Sequence, residues 1–509
     1  MKLKEILSDV NVIIIGNDDV NVTGISYDSR TISKDCAFFA LPGHNTDGRK
    51  YINEAIKKGA SVVITDLKYD LISAVQVVVE NIFIFMAVFC AKFYNYPDRE
   101  LNIIGITGTN GKTTIAYMIE SIFAGAGIDC GVIGTINYRY KENVISALNT
   151  TPQSPDIYKI MRDMIDNGVK YLVMEVSSHA LSLHRVYGID FDTVVFTNLT
   201  QDHLDFHKTM NNYFKAKSML FIGSRTDVKR NKKYAIINAD DKYGKKLSKV
   251  TVNSEVKLYA IEDKEVEFKA ENVEMTSNGG KFDLLFGDKR AKVNIKHIGL
   301  HNIYNALAAS AVSICNGISF NKIAEGLSAS KQVPGRLEKI DTKNFGFDVI
   351  LDYAHTNDAL KNVLCALKKM HPKRIITVFG CGGDRDRTKR PVMGKIAVEM
   401  SDFVFVTSDN PRTEDPNNIA LDIEVGIKKT YRNNYKVIID RENAIREAIM
   451  MANKGDVILL AGKGHETYQV IGTQRVHFSD IEIANKYIIL KEEEKKSKLK
   501  EMEQKEFIF

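Results

Sequence analysis

Gly108-Thr109-Asn110-Gly111-Lys112-Thr113-Thr114 sets a lysine and two hydroxyls behind a glycine-bracketed turn. That combination suits a polyphosphate. Glycines let backbone N–H groups converge on phosphate oxygens, and a helix starting there adds positive potential at its N-terminus. Lys112 is positioned to reach the β- and γ-phosphates, and Thr113 to offer its hydroxyl to Mg²⁺. The commoner G-x-x-x-x-G-K spacing needs glycine at 106, where Ile106 stands, so the loop is a shorter variant. The loop alone leaves ATP and GTP both open.

A second group of residues has metal-binding chemistry. Glu175 closes the apolar run KYLVMEV (170–176), and the next run, DTVVFTN (192–198), leads into Asp202, His203, Asp205 and His207. Taken singly, each suits a hydrogen-bonded strand end. Beside a phosphate loop, histidine with carboxylates suits Mg²⁺ or Mn²⁺.

These residues need elements to hold them. LNIIGIT (101–107), KYLVMEV, DTVVFTN and KYAIIN (233–238) are short, continuous apolar runs with helical patterns between several of them. Such alternation predicts a parallel sheet covered on both faces, with ligands at the carboxyl ends of its strands. Residues 278–293 read as a β hairpin. A later series, FDVILDYA (347–354), KRIITVFG (373–380), DFVFVTS (402–408), YKVIID (435–440) and DVILLAG (456–462), predicts a second doubly wound sheet. Turn-like breaks fall at Tyr96-Pro97-Asp98 and Val333-Pro334-Gly335. The expected architecture is therefore α/β with three domains. These are an N-terminal domain over 1–98, a central phosphate-loop ATPase with a parallel sheet over 99–332, and a C-terminal Rossmann-like domain over 333–490. A mixed-charge tail, read as a solvated helix end or a frayed tail, follows over 491–509.

Composition narrows the class. The 509 residues are 44% apolar and 26% charged, which excludes disorder or a coiled coil as a description of the whole. Lys plus Arg is 70 against 64 for Asp plus Glu, an excess too thin to indicate nucleic acid. The apolar run Ile82 to Ala91 is about half a membrane span, so a buried helix is expected and no membrane insertion. No signal-peptide core precedes it, and the six scattered cysteines form no C-x-x-C pair. Buried, reduced thiols in a cytoplasmic protein are the expectation.

With these motifs in hand, the chain resembles the Mur ligase family, the ATP-dependent amide-forming enzymes of peptidoglycan synthesis. The resemblance runs from about residue 20 to 485. It rests on GTNGKTT (108–114), NTTP (149–152), MEVSSHAL (174–181), TNLTQDHLDFHKTMNNYFKAKSMLF (197–221), GLHNIYNALAA (299–309), VPGRLE (333–338), DYAHTNDAL (352–360), FGCGGDRDRTKRP (379–391), TSDNPRTEDP (407–416) and AGKGHE (461–466), all in one order. It implies an N-terminal domain for a UDP-sugar, a central ATPase and a C-terminal domain for an amino acid. It also implies acyl-phosphate chemistry with ATP and Mg²⁺, working on UDP-N-acetylmuramoyl-dipeptide (UDP-MurNAc-dipeptide). A monomer is expected.

The resemblance also carries roles to individual residues. Lys112 and Thr113 would hold the triphosphate and one Mg²⁺, with Gly108, Thr109, Asn110, Gly111 and Thr114 completing the loop. Glu175 and His203 resemble ligands of a second Mg²⁺. Lys217 resembles a lysine that takes up CO₂ as a carbamate; without the resemblance it reads as an exposed helical lysine. Asn302 resembles a contact to adenine, and Asp352 and His355 resemble groups that close over the nucleotide. Ser29, His44, Asn149, Thr150, Thr151, Ser177 and Arg185 match positions that bind the UDP-sugar peptide. Leu183 departs from the family, which often has glutamine there.

The added amino acid is read from Asp409-Asn410-Pro411-Arg412. Arginine binds carboxylates through paired donors. meso-Diaminopimelate ends in an ammonium-carboxylate pair, whereas L-lysine ends in an ammonium alone, which Arg412 would repel. Within the family, DNPR resembles the diaminopimelate signature. Arg385 looks like a second carboxylate clamp, Asp409 and Glu466 like acceptors for ammonium groups, and Gly462 like a backbone contact. A lysine-adding ligase is the alternative. Folylpolyglutamate synthase leaves DNPR and SYDSR (26–30) without a role. A nucleotide-gated binding protein without catalysis leaves Lys112, Glu175, His203 and Lys217 unexplained.

Overall fold

In a computed structural model of the chain, the described residues are 1–43, 47–70, 73–222, 232–276, 279–343 and 345–506, with side chains described up to 497. His44, one of the sequence-predicted site residues, lies outside them. So does Asn278, the first residue of the predicted hairpin. Among the described residues the strands form three large sheets and one small hairpin.

The first sheet has five strands in the order Ile13–Ile15, Val75–Val78, Ala60–Thr65, Cys36–Phe39, Gly24–Ser26. All its pairings are parallel except that of Ile13–Ile15 with Val75–Val78. The apolar run at 82–91 forms the helix Ile82–Phe93. Asn81 caps it by accepting from Ile84 N at 3.1 Å. Phe85 and Phe89 of this helix pack on Phe39 and share one apolar cluster with Tyr158 and Met161 of the central unit. The first two units are thus joined by a common core.

The central sheet has eleven strands. From Phe268–Thr276 through Glu255–Ala260, Tyr234–Asn238, Thr193–Phe196, Asn102–Thr107 and Tyr171–Glu175 to Cys130–Ile133, neighbours run parallel. Antiparallel strands extend this parallel sheet at both edges, and those on one side are the hairpin expected at 278–293. The antiparallel pair Gly279–Phe286 and Lys289–Ile295 extends one edge, and Asn137–Tyr140 with Asn143–Ser146 the other. Of these added strands, Asn137–Tyr140 alternates in exposure and Asn143–Ser146 is exposed throughout, so neither has the continuous apolar run of a doubly covered strand.

The third sheet has the order Glu338–Ile340, Asp348–Asp352, Val457–Ala461, Ile375–Phe379, Phe403–Val406, Tyr435–Val437, parallel except for its first strand. Its two faces bury separate clusters, around Leu364 and Met393 on one side and Ile445 and Ile488 on the other. The last helix, Asp480–Glu506, runs through the position where a separate tail was expected at 491. Lys491 donates to Ile449 O at 2.7 Å and Ala452 O at 2.6 Å, so the start of that segment is docked. The buried pair Arg441 and Asp480 anchors the helix, with Nη2 to Oδ2 at 2.6 Å. The expectation of buried thiols holds for Cys36, Cys90 and Cys381 but not for Cys365, which is exposed.

Candidate active site

The strand Asn102–Thr107 ends in the phosphate loop, and the helix Lys112–Gly125 begins at Lys112. Gly108 (φ +147°) and Gly111 (φ +92°) hold backbone conformations that side chains rarely adopt. A Cβ on Gly108 would lie 1.8 Å from Thr197 Oγ1, and one on Gly111 2.4 Å from Asn305 Oδ1. The loop is also held from outside, by Thr109 N to Asn198 O at 2.9 Å and Asn110 N to Asn198 Oδ1 at 3.0 Å.

Lys112 Nζ donates to Gly108 O and Thr109 O, both at 2.9 Å. Burial lowers its ammonium from the ordinary range, while Glu175 opposes that shift. Glu175 is 1% exposed, and its carboxylate accepts from Thr113 Oγ1 (2.9 Å), Thr135 N (3.0 Å) and Thr135 Oγ1 (2.9 Å). The strand Tyr171–Glu175 lies next to Asn102–Thr107 in parallel register, which brings Glu175 level with Ile106 at the loop.

On the other side of Lys112 stand Asp202 and His203. His203 Nε2 lies 3.3 Å from Asp202 Oδ2, and its ring meets that of His179 edge-on at 4.8 Å. Burial pushes the His203 imidazole down to about 4, with the neighbouring Asp202 pulling the other way and Lys217 and Lys112 adding to the fall. Lys217, on the helix Met210–Ile222, is 2% exposed. That overturns the reading of an exposed helical lysine. Its Nζ donates to Gly108 O at 2.9 Å, and burial, then Lys112, pushes its pKa well below the ordinary range.

A cleft of ≈ 420 Å³ opens beside the loop, between the central and C-terminal sheets. Asn302, Asp352 and Thr113 line it together with Arg336 and Tyr304. Asn302 Nδ2 donates to Ile298 O at 2.8 Å, and its Oδ1 accepts from Asn305 at 2.8 Å. Burial raises the Asp352 carboxyl to about 6, although its Oδ2 accepts from Leu337 N at 2.7 Å. His355 Nδ1 lies 2.8 Å from Tyr353 O, and Lys389 Nζ donates to His355 O at 2.8 Å. Arg336, absent from the predicted set although it sits in VPGRLE, lines this cleft and stacks over Tyr353 at 4.8 Å.

The NTTP segment meets MEVSS at the edge of the central sheet. Thr151 Oγ1 donates to Glu175 O at 2.7 Å and accepts from Ser177 N at 3.0 Å; Arg185 Nη1 donates to Thr151 O at 2.9 Å. Thr150 Oγ1 lies 3.1 Å from Thr135 Oγ1, and Asn149 O accepts from Tyr138 OH at 2.7 Å. Arg185 Nε is buried without a partner. Ser177 Oγ is engaged as a helix cap, accepting from Ala180 N, and Leu183 ends that short helix. Ser29 is not drawn into this group; its carbonyl accepts from Lys58 Nζ at 3.1 Å. Tyr27, two residues earlier and not predicted, does bridge the units, donating to Asp156 Oδ2 at 2.6 Å.

The C-terminal residues gather around the turn at 409–412. Asn410 Nδ2 donates to Glu466 Oε2 at 2.9 Å, and the fully buried Lys463 donates to the same oxygen at 3.1 Å. Asp409, 8% exposed, has one oxygen, Oδ2, buried without a partner. Arg412 Nη1 donates to Gly383 O at 2.7 Å; Arg385 is exposed and close enough to lower the Arg412 pKa. The turn passes through Pro411 into Arg412, whose φ of +53° is left-handed. Gly462 N donates to Asp352 O at 3.0 Å, so Asp352, which lines the cleft, is tied to Gly462 beside this turn.

For a divalent cation, the oxygens of Thr113 and Glu175 are the fitting donors. Mg²⁺ keeps several waters and takes one or two protein oxygens along with phosphate oxygens. Among the described residues no cluster of three or more His, Cys, Asp or Glu offers a full protein cage.

Comparisons with known proteins agree with this layout. Residues 21–86 match the family described as Mur ligase family, catalytic domain; residues 106–313 match the Mur ligase middle domain; residues 335–464 match the Mur ligase, glutamate ligase domain. UDP-N-acetylmuramoyl-L-alanyl-D-glutamate--2,6-diaminopimelate ligase 1 of Clostridium acetobutylicum is 46% identical over 491 residues, covering 96% of this chain and 99% of the relative. The enzyme of that name from Clostridium tetani is 44% identical over 494 residues, covering 96% and 99%. A solved structure of a UDP-N-acetylmuramoyl-L-alanyl-D-glutamate--2,6-diaminopimelate ligase superimposes with a TM-score of 0.67 at 29% identity, covering 97% of this chain and 99% of that one.

Proposed function

Because the chain belongs to the Mur ligase family, we propose the following reading of its reaction and its residues. It is an ATP-dependent ligase that joins 2,6-diaminopimelate to UDP-N-acetylmuramoyl-L-Ala-D-Glu, releasing ADP and phosphate, in peptidoglycan precursor synthesis. The meso form is the substrate we assign. The reaction belongs to the cytoplasm, where ATP is held, and a single chain supplies every group the reading uses.

The chemistry has two stages. A carboxylate oxygen of the D-Glu residue bonds to the γ-phosphorus of ATP as the bond to the β–γ bridging oxygen breaks, giving an acyl phosphate and ADP. The amine of diaminopimelate then bonds to the acyl carbon, loses a proton, and phosphate leaves as the tetrahedral intermediate collapses to the amide. The first stage brings one anion onto another. Lys112 and the N-terminus of helix Lys112–Gly125 offset that repulsion. Phosphoryl transfer otherwise asks mainly for alignment. Thr113 would hold one Mg²⁺, and Glu175 with His203 a second; bound there, the ions would neutralise charge on the phosphates.

The remaining roles follow the same reading. Gly108 to Thr114 cradle the phosphates; Asn302 faces the base; Asp352 and His355 close from the C-terminal sheet; Lys217, as its carbamate, would orient a metal. Asn149, Thr150, Thr151, Ser177 and Arg185, with Ser29 and His44, take the UDP-sugar peptide. The unpartnered Arg185 Nε supports an anionic or carbonyl ligand there. Arg385 and Arg412 take the distal carboxylate, while Asp409, Glu466, Asn410 and Gly462 take its ammonium and backbone contacts.

The observation that carries the choice of amino acid is the pairing at 409–412. Two neighbouring guanidiniums, Arg385 and Arg412, stand beside an unpartnered buried Asp409 oxygen, which is the inverse of an ammonium-carboxylate pair. The test is phosphate release from purified protein with ATP, Mg²⁺ and the UDP-dipeptide. Release on adding diaminopimelate, abolished in Lys112→Ala, is expected. No release with any diamino acid would defeat the reading.

A further inference from the structure

Arg390 is 0% exposed and does not line the cleft beside the phosphate loop. Its guanidinium forks onto Glu414, Nη2 to Oε1 at 2.8 Å and Nη1 to Oε2 at 2.9 Å. Nη1 also donates to Asp422 Oδ2 at 2.9 Å, and Nη2 to Gly382 O at 3.1 Å. A charge buried this deeply persists only when it is paired and hydrogen-bonded, and the fork onto a carboxylate fixes angle as well as distance.

What the pair holds is the junction of two loops. Glu414 Oε1 also accepts from Asp384 N at 2.6 Å. Asp384 returns the link, accepting from Thr413 Oγ1 at 2.8 Å and Thr413 N at 3.2 Å. Gly383 N donates to Asn410 O at 2.9 Å. The loops lie so close that a Cβ on Gly383 would sit 1.8 Å from Pro411 O. Arg385 follows Asp384 on one loop, and Arg412 precedes Thr413 on the other. The Arg412 head is itself fixed on this junction through Gly383 O.

We propose that Glu414, gripped by Arg390, is a specificity-determining positioning residue. It keeps the 382–385 and 409–413 loops in the one register that turns both guanidiniums toward a single carboxylate. Two like charges side by side repel, and without a frame the loops relax apart. Glu414 touches no substrate in this account; it acts through Arg385 and Arg412. The inference rests on the reading of those two arginines as the distal-carboxylate clamp.

The test is steady-state phosphate release by the full chain for wild type, Glu414→Gln and Asp384→Asn, with diaminopimelate and L-lysine each varied and ATP varied separately. Glu414→Gln is nearly isosteric and gives up the charged fork. The expected result is a KM for diaminopimelate raised roughly tenfold, with kcat and the KM for ATP within about twofold. The preference over lysine narrows by the same factor. Asp384→Asn, at an exposed position, moves the same constants in the same direction by less, and decides the matter if Glu414→Gln fails to fold. Unchanged KM for diaminopimelate in both variants, with wild type still preferring it, overturns the inference alone. A uniform loss with both amino acids and a raised KM for ATP also overturns it, since that marks a general structural role. A wild type without preference for diaminopimelate overturns the clamp reading and the inference together.

Discussion

Lys112 Nζ and Lys217 Nζ donate to one oxygen, the carbonyl of Gly108, each at 2.9 Å. Two ammonium groups on one carbonyl repel, and burial costs each its hydration. The result is a Lys217 whose pKa falls well below the ordinary lysine range, through burial first and Lys112 second. A lysine so placed is an amine ready to react. Addition of the neutral amine to CO₂ forms an N–C bond, releases a proton, and leaves an anion facing Lys112.

The carbamate is therefore the first prediction. Protein equilibrated with ¹³C-bicarbonate is expected to give a carbamate carbon resonance that is absent from Lys217→Ala. That variant is expected to lose about 10²-fold in kcat, as removal of one electrostatic group at a reacting centre does. A resonance that survives in Lys217→Ala, or a variant with wild-type kcat, would remove Lys217 from the mechanism.

Glu175 supplies the second. Glutamine in its place can still accept from Thr135 N through its carbonyl and donate to the Thr113 and Thr135 hydroxyls, so the fold is expected to persist. The Mg²⁺ concentration for half-maximal rate is expected to rise roughly tenfold or more. A Mg²⁺ dependence that does not move would place the metal elsewhere.

Asp352 gives a pH dependence. Its carboxyl is raised by burial to about 6 from 3.8, so the folded state binds the proton more tightly than the unfolded state. Its contribution to stability is fully present below pH 3.8 and is lost as pH rises through 6. Above that the ionised, buried carboxylate costs up to about 3 kcal/mol. Asp352→Asn keeps an acceptor for Leu337 N, and is expected to melt at a higher temperature than wild type at pH 7.5, with the gap narrowing as pH falls from 6 and closing only below 3.8. Its rate is expected to fall, as strained groups at sites trade stability for function. A lower melting temperature at pH 7.5 would contradict this account.

Much of the scaffold was legible because its physics is local. Short apolar runs such as 101–107 and 170–176, alternating with helical patterns, fit strands covered on both faces, and glycines before Lys112 with a helix pattern behind it have one common use. The edge strands 137–146 escaped notice because one is only half buried and the other wholly exposed, as a polar loop would be. Lys217 read as a surface lysine because helical spacing cannot tell which face the phosphate loop will cover. Tyr27, Arg336 and the Arg390–Glu414 pair were missed for a related reason. Tyr27 meets a partner 129 positions away and Glu414 one 24 positions away, and no spacing rule reaches across such separations. The hairpin of Tyr468–Ile471 and Gln474–His477 was not anticipated either, although Val470 O accepts from Arg412 N at 3.0 Å and so fixes that residue's left-handed backbone.

The most direct measurement is a competition between equimolar meso-diaminopimelate and L-lysine for one pool of UDP-dipeptide and ATP, with the two products weighed against each other by mass spectrometry. The account predicts that wild type makes the diaminopimelate product in excess by roughly 10²-fold, the worth of a charge-paired carboxylate, and that Arg412→Ala brings the ratio close to one. Equal or greater incorporation of lysine by wild type would contradict it.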